Sequence, residues 1–283
     1  MAMVSSGRRA RIAAVVRYVI LGVAAAIFLV PFYLLARSAL MSRIDLMRPV
    51  WHWLPPSWEW SNLTDLFDNP EMPMARAMVN STVVATVQTV GVIVISSMAG
   101  YGLARIPYRW SNVVLGIITA TLLIPAAVTF VPSFVLISKL GWISTLQGLI
   151  VPGLFQAFAT FLFRQNFVSF PREIEEAAMI DGCGPWRTFW RIVMPNSKGF
   201  VAAIATITFI GSWNAFLWPL VVGRSQDSWT VQVALSTLMT AQSVDFAQLF
   251  MGALVAVAPL LVMFVLLQRW IVQGVERTGI AGD

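Results

Sequence analysis

Six long apolar runs, at about 15–37, 80–103, 111–136, 146–167, 199–222 and 247–270, constrain this chain more than any other feature. A helix needs about 20 mostly apolar residues to cross the hydrocarbon core of a bilayer. In lipid, every backbone N–H and C=O of a crossing helix must be satisfied within the segment, which favours helices for runs of this length. The pattern predicts an all-α integral membrane protein with six transmembrane helices. Composition agrees. The chain has 283 residues, of which 58% are hydrophobic and 11% charged, whereas a soluble domain carries about 25% charged residues. An apolar surplus of this size calls for lipid rather than a larger core.

The first run follows Arg8, Arg9, Arg11 and Arg17, as a signal peptide would. Its apolar stretch exceeds a signal h-region, and no A-x-A cleavage site follows, so it reads as a retained anchor. The chain then divides into a tail at 1–14, a first helix at 15–37, an outer loop at 38–79, a five-helix core at 80–270 with an inner loop at 168–198, and a tail at 271–283.

Basic residues orient the chain. With the N-terminus inside, Arg8, Arg9, Arg11, Arg17, Arg105, Arg109, Arg164, Arg172, Arg187, Arg191, Lys198, Arg269 and Arg277 are cytoplasmic. Arg37, Arg43, Arg48, Arg76, Lys139 and Arg224 are then outside, so 13 of the 19 basic residues lie inside. Cytoplasmic loops are enriched in Lys and Arg, so both termini are expected in the cytoplasm. The formal charge of +6 is spread between apolar runs. Membrane orientation accounts for it without nucleic acid.

The catalytic inventory is thin. Cys183 is the one cysteine, which excludes an internal disulfide and a thiolate metal cluster. His52, the one histidine, sits in a Trp-rich loop. No span holds the convergent His, Asp, Glu or Cys that a membrane-embedded enzyme needs. Nor does any hold a buried carboxylate or lysine pair of the kind ion-driven carriers use. Trp51, Trp53, Trp58 and Trp60 of the outer loop suit either an interfacial aromatic belt or contacts to an external partner.

Polar residues at membrane depth face a bundle interior or a watery path. Asn80, Ser81, Thr82, Thr86, Gln88 and Thr89 cluster in the second run. Ser81, Thr82 and Thr86 read as helix-joining groups. Asn214 lies among Trp213, Phe216 and Trp218. Aromatic faces beside an amide suit a polyhydroxylated ligand, and they suit plain packing as well. Arg76, near the outer end of the second run, suits a phosphate-bearing solute or a topological or partner contact equally.

The inner loop contains "EEAAMIDGCGPWRTFWRIVMP". Pro171 and the acids Glu173, Glu175 and Glu176 favour the start of a helix. Ala177 and Ala178 continue it with small side chains. Gly182, Gly184 and Pro185 break it, and a second short helix runs from Trp186 to Val193. The product is a helix–turn–helix elbow. It suits a partner's groove or a solvated surface.

These residues carry a resemblance. Glu-Ala-Ala, three residues, Gly, nine residues and Ile-x-Leu-Pro form the loop pattern of binding-protein-dependent ABC transporter permeases. Glu176, Ala177, Ala178, Gly182, Ile192 and Pro195 fall in register, with Met194 at the usual Leu. "NSTVVATVQTV", "AGYGLARIPY", "FIGSWNAFLWPL" and "QRWIVQGV" extend it over about 15–280. The chain resembles the carbohydrate-uptake branch, in particular the second permease of maltose and glycerol-3-phosphate importers.

The resemblance implies a type I ABC importer permease in the inner membrane of a prokaryote. It implies a homologous second permease, two ATPase subunits and an extracytoplasmic solute-binding protein as partners. ATP and Mg would be bound by the ATPases, and this chain would hold no cofactor and no catalytic residue. Glu176, Ala177, Ala178, Asp181, Gly182, Ile192 and Pro195 would form the coupling loop. Gln88, Trp213, Asn214, Phe216 and Trp218 would line the solute path. A sugar or glycerophosphate derivative is the expected cargo, with polyamine, phosphate or peptide as the alternative. No Gly-x4-Gly-Lys-Ser/Thr loop is present, so no ATP hydrolysis is expected of the chain itself.

Overall fold

The computed structural model describes residues 4–240 and 244–279, with side chains at 11–239 and 244–270. The outermost parts of the expected tails, 1–3 and 280–283, lie outside the described residues. The described chain is helical, and its contacts divide it into two units, Met1–Asn69 with Leu238–Val255 and Pro70–Thr237 with Ala256–Asp283.

The first unit opens with α1, Val4–Ala39, and continues through α2, Arg43–Met47, and α3, Ser61–Asp68. No residue in the apolar window of α1 is buried, so its side chains are left for lipid or another subunit. Its last carbonyl is not left bare. Asn62 Nδ2 donates to Ala39 O at 2.9 Å, replacing an intrahelical donor that a helix end lacks, and to Met41 O, just past the helix, at 3.0 Å. The four loop tryptophans are all exposed. Trp51 meets Trp53 edge-on at 5.6 Å and Trp58 stacks on Trp60 at 6.4 Å. Arg37 sits 4.3 Å over Trp51 and Tyr33 donates to Trp53 O, which ties the outer loop to the end of α1. Asp245 pairs with Arg43 and accepts from Ala247 N and Gln248 N.

The second unit is built on α4, Met74–Arg105. At 1.5 Å per residue its 32 residues span roughly 48 Å, more than the ~30 Å hydrocarbon core. Next come α5, Ser111–Thr121, α6, Ala126–Lys139, α7, Leu146–Ile150, and α8, Ala157–Val168. α8 crosses α4 at Gly100, where an added Cβ would lie 2.8 Å from both Phe163 Cβ and Arg164 N. The missing side chain therefore permits the close approach. Val92, Tyr101, Ala159, Phe163, Phe167, Phe189, Val193 and Ile204 form the adjoining core.

Beyond α8 lie α9, Arg172–Ile180, α10, Pro185–Thr188, and α11, Met194–Asn196, then α12, Lys198–Trp213, and α13, Leu217–Val222. The last two helices are α14, Val231–Thr240, and α15, Phe246–Gly279. α1, α4 and α15 are each long and apolar enough to cross a bilayer unbroken, and bent helix pairs bring the total to as many as six.

Three expected continuous spans are in fact interrupted. α5 and α6 meet at 94°, with Pro125, which has no N–H to donate, just ahead of α6. Pro152 lies in a 3₁₀ turn, Val151–Gly153, ahead of a 43° bend into α8. α12 has 16 residues, or roughly 24 Å, and stops at Asn214 before α13 resumes. Hydropathy alone passes over such breaks, because the residues on either side are equally apolar.

α14 depends on α4 for its start. Ser81 Oγ accepts from Val231 N at 2.8 Å, as a cap supplied from another helix. Asn80 Nδ2 donates to Asp227 O and Trp229 O, both at 2.9 Å. Arg76 pairs with Asp227 at 2.6 Å.

Candidate functional site

The elbow between α8 and α12 is the most chemically ordered part of the second unit. α9 starts after Pro171 with Glu173 and Glu175 in its first turn. It ends in a Schellman turn. Cys183 N donates to Ala178 O at 2.9 Å and Gly182 N to Met179 O at 3.0 Å, with Gly182 at φ +77°. This closure needs a left-handed residue, which glycine adopts without steric cost. Asp181 caps the helix and is exposed. α10 and α11 are joined by a π-helical turn, Phe189–Val193, in which Met194 N reaches back to Phe189 O. Such a turn lies where Pro195, lacking an N–H, interrupts the α ladder. Ile192 is half-buried and Pro195 exposed.

The two neighbouring glutamates point apart, as about 100° per residue requires on a helix. Glu176 and Ala177 are exposed, while Glu175 and Ala178 are buried. Glu175 Oε1 lies 2.9 Å from Arg105 Nε. The alignment falls short of a hydrogen bond at both atoms, so the contact is ionic. Tyr101 donates to Glu175 Oε2 at 3.2 Å. Arg105 also donates to Phe170 O, just ahead of α9. The Tyr101 ring is held by Phe167 at 5.8 Å and Phe189 at 5.0 Å. A cleft of about 480 Å³ opens between the end of α4 and α9, lined in part by Arg105, Tyr108, Arg172, Glu175, Glu176 and Met179.

The residues expected to line a path lie in two environments. Gln88 is fully engaged: Nε2 donates to Leu149 O at 3.0 Å and Ile150 O at 3.1 Å, and Oε1 accepts from Ser212 at 2.5 Å. It thereby joins α4, the broken end of α7 and the last turn of α12. Trp213 is 1% exposed and donates to Ala256 O at 3.1 Å, so it packs the core and offers no face to a passing solute. Trp218 is half-buried, donates to Gly148 O at 3.1 Å and meets Phe130 edge-on. Asn214 and Phe216 are exposed, and Asn214 Oδ1 accepts from Gln232 at 3.3 Å.

Sequence reasoning picked out Glu176 but not Tyr101, Arg105, Ser212 or Gln232, and it gave Glu175 only a part in starting the helix. The spacing gave half of it: Tyr101 and Arg105 are four residues apart and share a helix face. Which glutamate they meet was not marked, since Glu175 shares a face with Ala178 just as Glu173 does with Ala177.

The comparisons with known proteins bear on this arrangement. The family described as "Binding-protein-dependent transport system inner membrane component" matches residues 91–277, which include the elbow and the break at Asn214. The chain belongs to this family. Among its relatives is the sn-glycerol-3-phosphate transport system permease protein UgpE of Pectobacterium atrosepticum, 32% identical over 90% of this chain and 92% of that protein. The lactose transport system permease protein LacG of Rhizobium radiobacter is 35% identical over 75% of this chain and 79% of its own. A solved bacterial ABC transporter involved in import of the acidic polysaccharide alginate has a chain that superposes with TM-score 0.77 at 22% identity, covering 93% of this chain and 97% of that one. The likeness supports the type I permease fold. This binding-protein-dependent permease is thus a multi-pass inner-membrane transport component that works with ATPase and solute-binding partners.

Proposed function

We propose that the chain is one half of the membrane channel of an ATP-driven importer for a sugar or sugar-like solute. A homologous second permease completes the channel, and two ATPase subunits bind ATP and Mg on the cytoplasmic side. The reading is carried by similarity to permeases named for glycerol-3-phosphate transport, along 90% of the chain, and lactose transport, along 75%. Both termini are cytoplasmic, and a solute-binding protein delivers cargo to the outer loop at 38–79. The elbow is the coupling device. Glu176 and Ala177 on the exposed face of α9 meet the ATPase, Ala178 packs beneath them, and Asp181, Gly182, Ile192 and Pro195 set the turn and the second helix. Asn214 and Phe216 remain the path-lining candidates, while Gln88, Trp213 and Trp218 hold the broken helices in place around them.

The test is uptake in a strain lacking the gene, with labelled lactose, arabino-oligosaccharide, maltose and glycerol-3-phosphate in parallel with spermidine, phosphate and a tripeptide. Loss of one or more of the first group, restored by the gene, is expected. Loss confined to the second group overturns the cargo. Glu176→Lys should abolish uptake while the chain still inserts, and normal uptake by this variant removes the docking role.

A further inference from the structure

The side chains of Glu175 and Arg105 are 7% and 8% exposed and 2.9 Å apart. A well-packed apolar pair would fill such a site without desolvating two charges. The ion pair adds directional restraint. Tyr101 and Arg105 lie in the last turns of one helix, so both hold Glu175 from the same rigid body. Arg105 also holds Phe170 O, immediately before α9. One guanidinium therefore fixes both the entry to α9 and its first full turn. The aromatic cluster around Tyr101 leaves that ring little freedom. Glu176, the next residue, takes no part and faces outward.

We propose that Tyr101, Arg105 and Glu175 form a joint that makes α9 and α4 a single lever, so that displacement delivered to the exposed face of α9 passes directly into α4. The proposal rests on the coupling role given to the elbow above. The three are positioning residues; they contact neither nucleotide nor cargo. α4 is well placed to carry the motion. Midway along it Gln88 grips the broken ends near Ile150 and Ser212, and further on Asn80 and Ser81 grip the turn that starts α14. A packed joint of this kind transmits movement in discrete steps, because interfaces switch between arrangements and do not yield continuously.

The decisive readout is solute transported per ATP hydrolysed by the complete complex in proteoliposomes. Loss of folded complex lowers uptake and hydrolysis together and leaves this ratio unchanged, whereas a loosened joint lowers the ratio. Glu175→Gln and Arg105→Gln should each reduce it about fivefold or more, with the ATPase subunits still co-purifying. Tyr101→Phe keeps the ring and removes one hydroxyl, and it should reduce the ratio about twofold at normal abundance. Glu176→Gln should lower uptake and hydrolysis in parallel. A wild-type ratio in Tyr101→Phe overturns the proposal, including where Glu175→Gln fails to accumulate. If the wild-type complex shows no solute-stimulated hydrolysis, the coupling role itself fails, and the joint with it.

Discussion

At the scale of single residues, the elbow depends on one backbone conformation that side chains disfavour. Gly182 sits at φ +77°, and an added Cβ would meet nothing within 4 Å. Substitution there is therefore penalised by conformation alone. A left-handed residue with a Cβ costs about 1–2 kcal/mol, and asparagine pays less of that than most because it visits this region often. Gly182→Val is expected to loosen the Schellman closure and speed amide exchange at Cys183, whose N–H bonds Ala178 O. Gly182→Asn should stay near wild type. Hydrogen exchange read by mass spectrometry checks both, and equal behaviour of the two variants would show that the left-handed φ is not what the position requires. The need for glycine here was legible from the motif. That Glu175, and not Glu176, carries the buried charge was not, because adjacent identical residues are distinguished only by which face of the helix meets a partner.

At the scale of elements, the apolar runs announced helices but not their interruptions. The runs are broken at 122–125, 154–156 and 214–216; every helix end leaves backbone groups without intrahelical partners, and distant side chains answer some of these. Gln88 for the carbonyls of Leu149 and Ile150, and Ser81 for the amide of Val231, are the clearest cases. Such pairings join residues 61 to 150 positions apart, so no local pattern announces them. Taken alone, the polar cluster of the second run read as helix-joining groups or path residues. Here Asn80, Ser81 and Gln88 cap and splice broken elements, while Thr82 bonds Met78 O of its own helix. Thr230, the residue just ahead of α14, has a buried hydroxyl without a hydrogen-bond partner, so Ser81 is the side-chain cap that α14 has at Val231. Ser81→Ala should cost about 1 kcal/mol and raise amide exchange at the first turn of α14 while leaving α9 unchanged. Unaltered protection at Val231 would mean that the cap contributes nothing to holding α14.

At the scale of the whole chain, six crossings and a biased set of basic residues make a topological claim that one native atom can test. Cys183 is the single cysteine of the sequence, and it is half-buried at the end of the Schellman turn. If 13 of 19 basic residues mark the cytoplasmic face, its thiol faces the cytoplasm. A membrane-impermeant maleimide should then leave the chain, expressed without its ATPases, unlabelled in intact spheroplasts and label it once the membrane is opened. Ser57→Cys in a Cys183→Ser background should behave oppositely, since Ser57 is exposed in the loop assigned to the outside. The two labelling patterns depend on different numbers of crossings, one before Ser57 and four before Cys183. An error in the count of spans would therefore break their opposition, while an inverted chain would keep the opposition and exchange the two results. Labelling of Cys183 from outside, with Ser57→Cys protected, would reverse the orientation and place the elbow beyond the reach of any cytoplasmic ATPase, removing the mechanical basis of import at a stroke.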